Sequence, residues 1–240
     1  KALRIWSTLN MAAPFFILSR RGFGDRIGRA QGSEGQLDKI DFKKSLKAFY
    51  QPTNRHFEPV EVPEMQFAMV DGSGDPNTAQ AYRSAVEWLY GVSYAIKFAA
   101  KASLGKDYVV PPLEGLWWSD DPADFVARRK DAWKWTMMIL VPDFAGSALF
   151  AAALDKTAAK RGTPPPSLRL ARFAEGTCLQ ALHIGSYDEE GPLLKHLHEE
   201  VMPARGLTFN GKHHEIYIGD PRKTLPERLR TILRQPVRAV

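Results

Sequence analysis

One succession of residues occurs twice in this chain, and it limits what the chain can fold into. Met65–Asn77 reads as a strand, a Gly-Ser turn, an Asp and the start of a helix, and Cys178–Gly191 reads the same way. The echo continues downstream of each copy. Trp135–Asp143 closes an apolar strand with Pro-Asp, and Glu215–Asp220 closes one with Gly-Asp. Two strand-helix-strand-strand units, about a hundred residues apart, are expected to pair about a pseudo-two-fold axis and leave a cleft between the halves. The predicted class is α+β: a tandem pair of such modules in a mainly antiparallel sheet, with helices on one side and a ligand cleft on the other.

Periodicity places the elements. Phe42, Leu46 and Phe49 lie at helical spacing in a short helix over 41–50, stopped by Pro52. Glu61–Val70 alternates Met65, Phe67 and Met69 with Gln66, Ala68 and Val70, as a strand does. Asp75 before Pro76 suits a helix start, and the apolar stripe through Ala85, Trp88, Leu89, Val92 and Ile96 predicts a long helix over 77–101. Leu113–Trp118 and Trp133–Val141 read as strands, with a solvated helix from Asp124 to Lys130 between them. Ala145–Lys160 reads as a helix, Leu168–Phe173 and Cys178–Ile184 as strands, and Leu193–Met202 as a helix entered from a turn at Gly185–Asp188. His213–Ile218 reads as the last long strand, and Pro226–Leu233 as a closing helix.

Composition excludes several classes. Apolar residues make up 44% and charged residues 25%, which is ordinary globular usage. No run of about 18 apolar residues is present, so no spanning helix is expected. The single cysteine, Cys178, allows no internal disulfide and no cysteine-based zinc site, and a reducing cytoplasmic setting suits it. The net charge of +6 is uneven: residues 1–40 hold seven Lys/Arg against three acids, four of the six net charges. The nearly neutral remainder lacks the clustered cations of a nucleic-acid surface. Residues 1–37, Gly-rich and weakly periodic, are expected to form a flexible basic segment outside the fold, of transit-peptide or extended-reading-frame character. The folded domain is expected over 38–240.

Several side chains could carry chemistry. Alternation puts His213, Glu215 and Tyr217 on one face of their strand and His214, Ile216 and Ile218 on the other. The Glu215 face is either an ordinary polar strand face or one wall of a cleft. In a cleft the carboxylate could act as a general base or as counter-ion to a cation. Four of the six tryptophans, Trp117, Trp118, Trp133 and Trp135, fall within nineteen residues. They serve either as core or as the wall of a pocket for a planar or cationic ligand. Tyr187, His183, Tyr90 and Tyr217 could supply hydrogen-bond donors. His213-His214 and His196-x-His198 have poor spacing for a shared metal, and Gly72-Ser-Gly-Asp-Pro lacks the lysine of a phosphate loop; no metal or cofactor is expected.

Taken together, Asp71-Gly-Ser-Gly-Asp-Pro-Asn, Leu113-Glu-Gly-Leu-Trp-Trp, Trp133-Lys-Trp-Thr-Met-Met-Ile, Leu182-His-Ile-Gly-Ser-Tyr-Asp and His213-His-Glu-Ile-Tyr-Ile-Gly-Asp-Pro-Arg222 resemble the GyrI-like small-molecule-binding proteins, and in particular their stand-alone subgroup. The resemblance spans about Asp38 to the C-terminus. It implies the tandem modules, an aromatic ligand cleft between them and an acid on the last strand, which falls on Glu215. The aromatic wall falls among Trp117, Trp118, Trp133, Trp135, Tyr187 and Tyr217. The superfamily holds effector domains of multidrug-responsive regulators, and some stand-alone members are similar to hydrolases that open the cyclopropane of DNA-alkylating antibiotics. The resemblance therefore implies either a hydrolase of planar electrophiles or a module that sequesters planar aromatic or cationic small molecules without turnover.

Overall fold

In a computed structural model of the chain, residues 39–240 are described, apart from 122, 123, 125, 126, 128 and 222. The N-terminal segment 1–37 and three residues of the expected helix over 124–130 lie outside the described residues. Two one-turn helices, α1 (Phe42–Ser45) and α2 (Lys47–Tyr50), open the fold. Pro63 and Glu64 then split the expected strand at 61–70 into β1 (Glu58–Val62) and β2 (Met65–Ser73), which lie near opposite ends of the sheet. The first half continues through α3 (Gln80–Leu104), β3 (Leu113–Trp118) and β4 (Lys134–Leu140). Asp75 does not cap α3. It holds the preceding turn, its carboxylate accepting from the Asn77 N–H, and Ala79 is the cap residue.

Helix α4 (Ser147–Arg161) and β5 (Arg169–Phe173) lead to the second half. There β6 (Gly176–Ile184) is followed by α5 (Gly191–His196), a π turn over Leu197–Val201, α6 (Met202–Ala204), β7 (Leu207–Phe209), β8 (His213–Tyr217) and β9 (Arg230–Ala239). The expected closing helix at 226–233 is a strand instead. Only Pro226–Arg228 makes a helical turn, and β9 runs through the middle of the second half between β6 and β8. The strand carries Arg234 in its middle, a residue type that is seldom fully buried. Here it is 1% exposed, and Glu175 neutralises it.

The sheet runs β1-β6-β9-β8-β3-β4-β2-β5, with β7 paired to the far end of β9. Each registered strand pair is antiparallel. Read outward from the β8–β3 seam, the halves mirror each other as β8-β9-β6 and β3-β4-β2. This is the arrangement of two strand-helix-strand-strand modules about a pseudo-two-fold axis.

The two faces of the sheet are packed differently. On one, α3 and α4 cover Ala68, Val70, Trp135, Met137 and Ile139 of the first half. On the same face, the chain from Leu193 to Met202 covers Leu179, Ala181 and Leu233 of the second. The cleft lies on this face, between the two helical layers, rather than across the sheet from them. The reverse face, with Phe67, Met69, Leu116, Met138, Ile216 and Ile232, is sealed by Tyr50 and the apolar side of α1 and α2. Gly72 is part of the strand, not the turn. The Trp135 indole lies where a Cβ on residue 72 would stand, 2.1 Å away, so only glycine allows that close approach.

A chain of charges is buried in the reverse face. The Tyr50 hydroxyl donates to Glu114 Oε1 at 2.6 Å, and Glu114 Oε2 lies 3.0 Å from His214 Nε2. His214 Nδ1 lies 3.0 Å from both oxygens of Glu175, and Arg234 donates to Glu175 Oε2 at 2.9 Å. Arg234 also donates to the Gln180 side chain and to the Phe49 carbonyl, which ties α2 to the sheet. Burial alone would raise the Glu175 carboxyl, yet His214 and Arg234 hold it at about 2. Burial would lower the His214 imidazole, but Glu175 and Glu114 keep it above its ordinary 6.5.

Stability should therefore follow pH in two steps. The Glu175 contribution is complete above its ordinary 4.5 and fades as pH falls toward about 2. The His214 contribution is complete below 6.5 and fades as pH rises through its raised value. Thermal unfolding across pH should place the highest midpoint between these limits, and a profile flat from pH 4.5 to 9 would contradict the network. Arg234→Leu leaves Glu114 and Glu175 with His214 as their one buried cation and should cost about 3–5 kcal/mol in urea denaturation.

Candidate functional site

The seam between β3 and β8 forms the floor of the cleft. Leu113 stands opposite Tyr217, Gly115 opposite Glu215 and Trp117 opposite His213, all on the cleft face. Gly115 lets Trp117 and Met137 close over the seam. A Cβ there would come within 2.8 Å of Trp117 Nε1 and 3.1 Å of Met137 Sδ. Glu215 stands opposite Gly115 with its side chain 17% exposed. The cleft has a volume of about 2170 Å³.

One hydrogen bond holds the acid, and a second holds its donor. The Tyr217 hydroxyl donates to Glu215 Oε2 at 2.7 Å and accepts from Trp117 Nε1 at 3.0 Å. The other carboxylate oxygen, Oε1, lies 3.6 Å from His213 Nε2. Burial pushes the Tyr217 hydroxyl well above its ordinary range, and the Glu215 charge pushes it further, so Tyr217 stays a donor. Tyr187 meets the Tyr217 ring edge-on at 5.7 Å. Burial, then the Glu190 and Glu215 charges, raise its hydroxyl too.

The aromatic walls come from both halves. Tyr82 of α3 stacks on Trp117 at 6.1 Å and meets Trp135 edge-on at 5.3 Å. Trp133 closes on Trp117 at 5.9 Å. Tyr90 continues the wall along α3 and stacks with Tyr94. On the second half the π turn carries His198, whose ring meets Phe209 at 5.0 Å. Burial and the neighbouring His213 lower its imidazole to about 4.

The sequence-predicted residues are thus divided. Glu215, Tyr217, Tyr187, Trp117, Trp133 and Tyr90 line one cleft. Trp118 points to the opposite side of its strand from Trp117 and reaches only the rim, where the Lys212 ammonium sits 3.2 Å from its ring centroid. Trp135 is fully buried beneath Tyr82 and shapes the wall from behind. His183 does not line the cleft, and its Nε2 bonds the Ser186 carbonyl, steadying the turn before Tyr187. Sequence reasoning did not single out Tyr82 or Glu190. The apolar period of α3 continues back to Tyr82, so that signal was available. Glu190 stands third in Asp188-Glu-Glu190, where nothing in the spacing shows which acid is buried. Among the described residues, no group of three His, Cys, Asp or Glu is placed to hold a metal ion, and no helix is long and apolar enough to cross a membrane.

A sheet of two mirrored modules with an aromatic, acid-floored cleft at their seam defines a small-molecule-binding fold. Residues 56–238 match the GyrI-like small molecule binding domain, and the chain belongs to that family. Solved structures agree. An uncharacterized conserved protein from Listeria innocua is 43% identical, with a TM-score of 0.76 over 83% of this chain and all of that one. A protein described as a hydrolase from Listeria innocua is 41% identical, with a TM-score of 0.72 over 83% of this chain and all of that one. No curated protein matches the chain.

Tyr217→Phe tests the hold on the acid. It removes the donor to Glu215 and leaves the buried Trp117 N–H without an acceptor, which should cost about 1–3 kcal/mol in chemical denaturation. A variant as stable as the parent would show that these two bonds contribute nothing net.

Proposed function

We propose that this chain is a hydrolase of planar, electrophilic small molecules, in which Glu215 rather than a metal activates the water. The reaction we assign is the opening of an activated cyclopropane, the strained ring carried by DNA-alkylating antibiotics. One observation carries the reading: a carboxylate with one oxygen anchored by a tyrosine and the other turned toward the cleft, at the foot of walls built from Trp117, Tyr82 and Trp133. The likeness to a Listeria protein described as a hydrolase, at 41% identity over its whole length, supports it. The resemblance to the stand-alone GyrI-like subgroup supports the choice of substrate.

The chemistry follows from these positions. The indole and phenol faces hold a flat, conjugated ligand and exclude bulk water around it. A water at Glu215 Oε1 is oriented toward the strained ring carbon, and the carboxylate takes its proton as the carbon–oxygen bond forms. The ring carbon–carbon bond breaks, and its electron pair moves into the conjugated carbonyl. The Tyr187 hydroxyl, held protonated by its surroundings, donates a hydrogen bond to the oxygen where charge collects. The electrophile is already activated, so this modest assistance suffices.

The same walls and acid would also hold a planar cation without turnover. Incubation with a cyclopropane-bearing alkylator, followed by mass spectrometry, separates the two readings. Hydrolysis predicts a product heavier by one water that accumulates over many turnovers. Glu215→Gln should lower that rate at least about 100-fold while planar neutral ligands bind as before. Tight stoichiometric binding with no product would overturn the hydrolase and favour sequestration. In that case Glu215→Gln should weaken cations selectively.

A further inference from the structure

Glu190 is the buried acid that the reaction above leaves unused. It precedes α5, follows the helical turn Tyr187–Glu189 and lines the cleft with only 4% of its surface exposed. Its Oε1 is buried without a hydrogen-bond partner, and no Lys, Arg or His forms an ion pair with it among the described residues. A charged carboxylate in that position would be costly. Two acids, one partly open and anchored by Tyr217 and the other closed and unpaired, are placed to hold one proton between them.

We propose that Glu190 is the proton reserve of this site: a neutral carboxylic acid that resupplies the Tyr187 hydroxyl while Glu215 acts as the base. The inference rests on the hydrolase reading. Water attacks the ring carbon, Glu215 takes the water proton, and the ring electron pair arrives on the conjugated oxygen. Tyr187 gives its proton to that oxygen, and Glu190 gives its own to Tyr187 through an intervening water. Glu215 is left neutral and Glu190 charged, and a proton returned from Glu215 to Glu190 through the Tyr217 hydroxyl and water restores the site. The net change is one water added: hydroxyl on carbon, hydrogen on oxygen. Glu190 acts through Tyr187, so it is a positioning residue.

The electrostatics agree with the geometry. Burial raises the Glu190 carboxyl well above its ordinary 4.5, the Glu215 charge raises it further and Asp188 adds slightly, while the neighbouring Thr231 hydroxyl pulls the other way. The other titratable groups lining the cleft around it include Tyr187 on its own turn, Lys195 on α5, His198 on the π turn, Tyr217 and His213 on β8, and Asp220 just after β8.

Two measurements on the full chain test this. Infrared difference spectra at neutral pH should show the carbonyl stretch of an un-ionised carboxylic acid. That band should vanish in Glu190→Gln and persist in Glu215→Gln; its absence from the parent overturns the proposal. With the cyclopropane-bearing alkylator as probe, Glu190→Gln should lower kcat about 10–100-fold with KM unchanged, and Glu190→Asp should recover part of the loss. The parent rate should fall at alkaline pH as Glu190 ionises, and the Gln variant should lack that limb. A parent that turns over with Glu190→Gln matching it in rate and pH profile removes the proton reserve alone. A parent with no turnover removes the hydrolase reading and the reserve together.

Discussion

The antiparallel seam between β3 and β8 is the contact on which the rest of this molecule depends. It is where the two modules meet, and its register decides what each face receives. With Gly115 opposite Glu215, the acid, Tyr217 and Trp117 rise into the cleft. Glu114 and His214 turn down into the reverse face. A slip of one residue would exchange the two sets, burying Glu215 among Leu116, Met138 and Ile232 and lifting the ion network into the cleft. Function and stability therefore share one constraint.

The reverse face helps to hold that register. Glu114, His214, Glu175 and Arg234 come from β3, β8, the turn before β6 and β9, and they meet nearly dry. Buried ion pairs give little net stability over well-packed apolar groups, because desolvation offsets most of the Coulomb gain. Their effect is on specificity. Each member left alone would be a buried charge, so the alternatives that separate them are strongly penalised. His214 has a glutamate at each ring nitrogen and cannot rotate away without stranding one. It precedes Glu215 in the chain, so the network also aims the cleft acid. The same group fastens α1 and α2 across the sheet through Tyr50 and the Phe49 carbonyl.

Much of this could be read from the sequence, and the rest was hidden for definite reasons. The mirrored modules showed as a repeated strand-turn-helix pattern, and alternation alone separated Glu215 and Tyr217 from His214 and Ile216. The indole cluster was visible, but not its division: Trp117 and Trp118 are neighbours on a strand, so only one could join the cleft wall, and Trp135 lies under Tyr82. His183 sits on the correct strand, yet its ring serves the turn. The second half was harder because Pro226–Leu233 carries a helix-like start, while β9 buries Arg234 and Gln235 in its middle, and nothing in the spacing shows that Glu175 meets that charge. Positions 114, 175, 214 and 234 have no spacing that links them. Glu190 looks like any acid at a helix start.

In the proposed reaction a flat ligand lies between the aromatic walls with its reactive carbon over Glu215. A crystal structure of the chain with an unreactive planar analogue tests this most directly. The expected result is the analogue against Trp117 and Tyr82, with a water on Glu215 about 3–3.5 Å from the carbon that replaces the strained one. An analogue seated only along the exposed Tyr94 and Phe98 side of α3, leaving Glu215 and its water untouched, would contradict it.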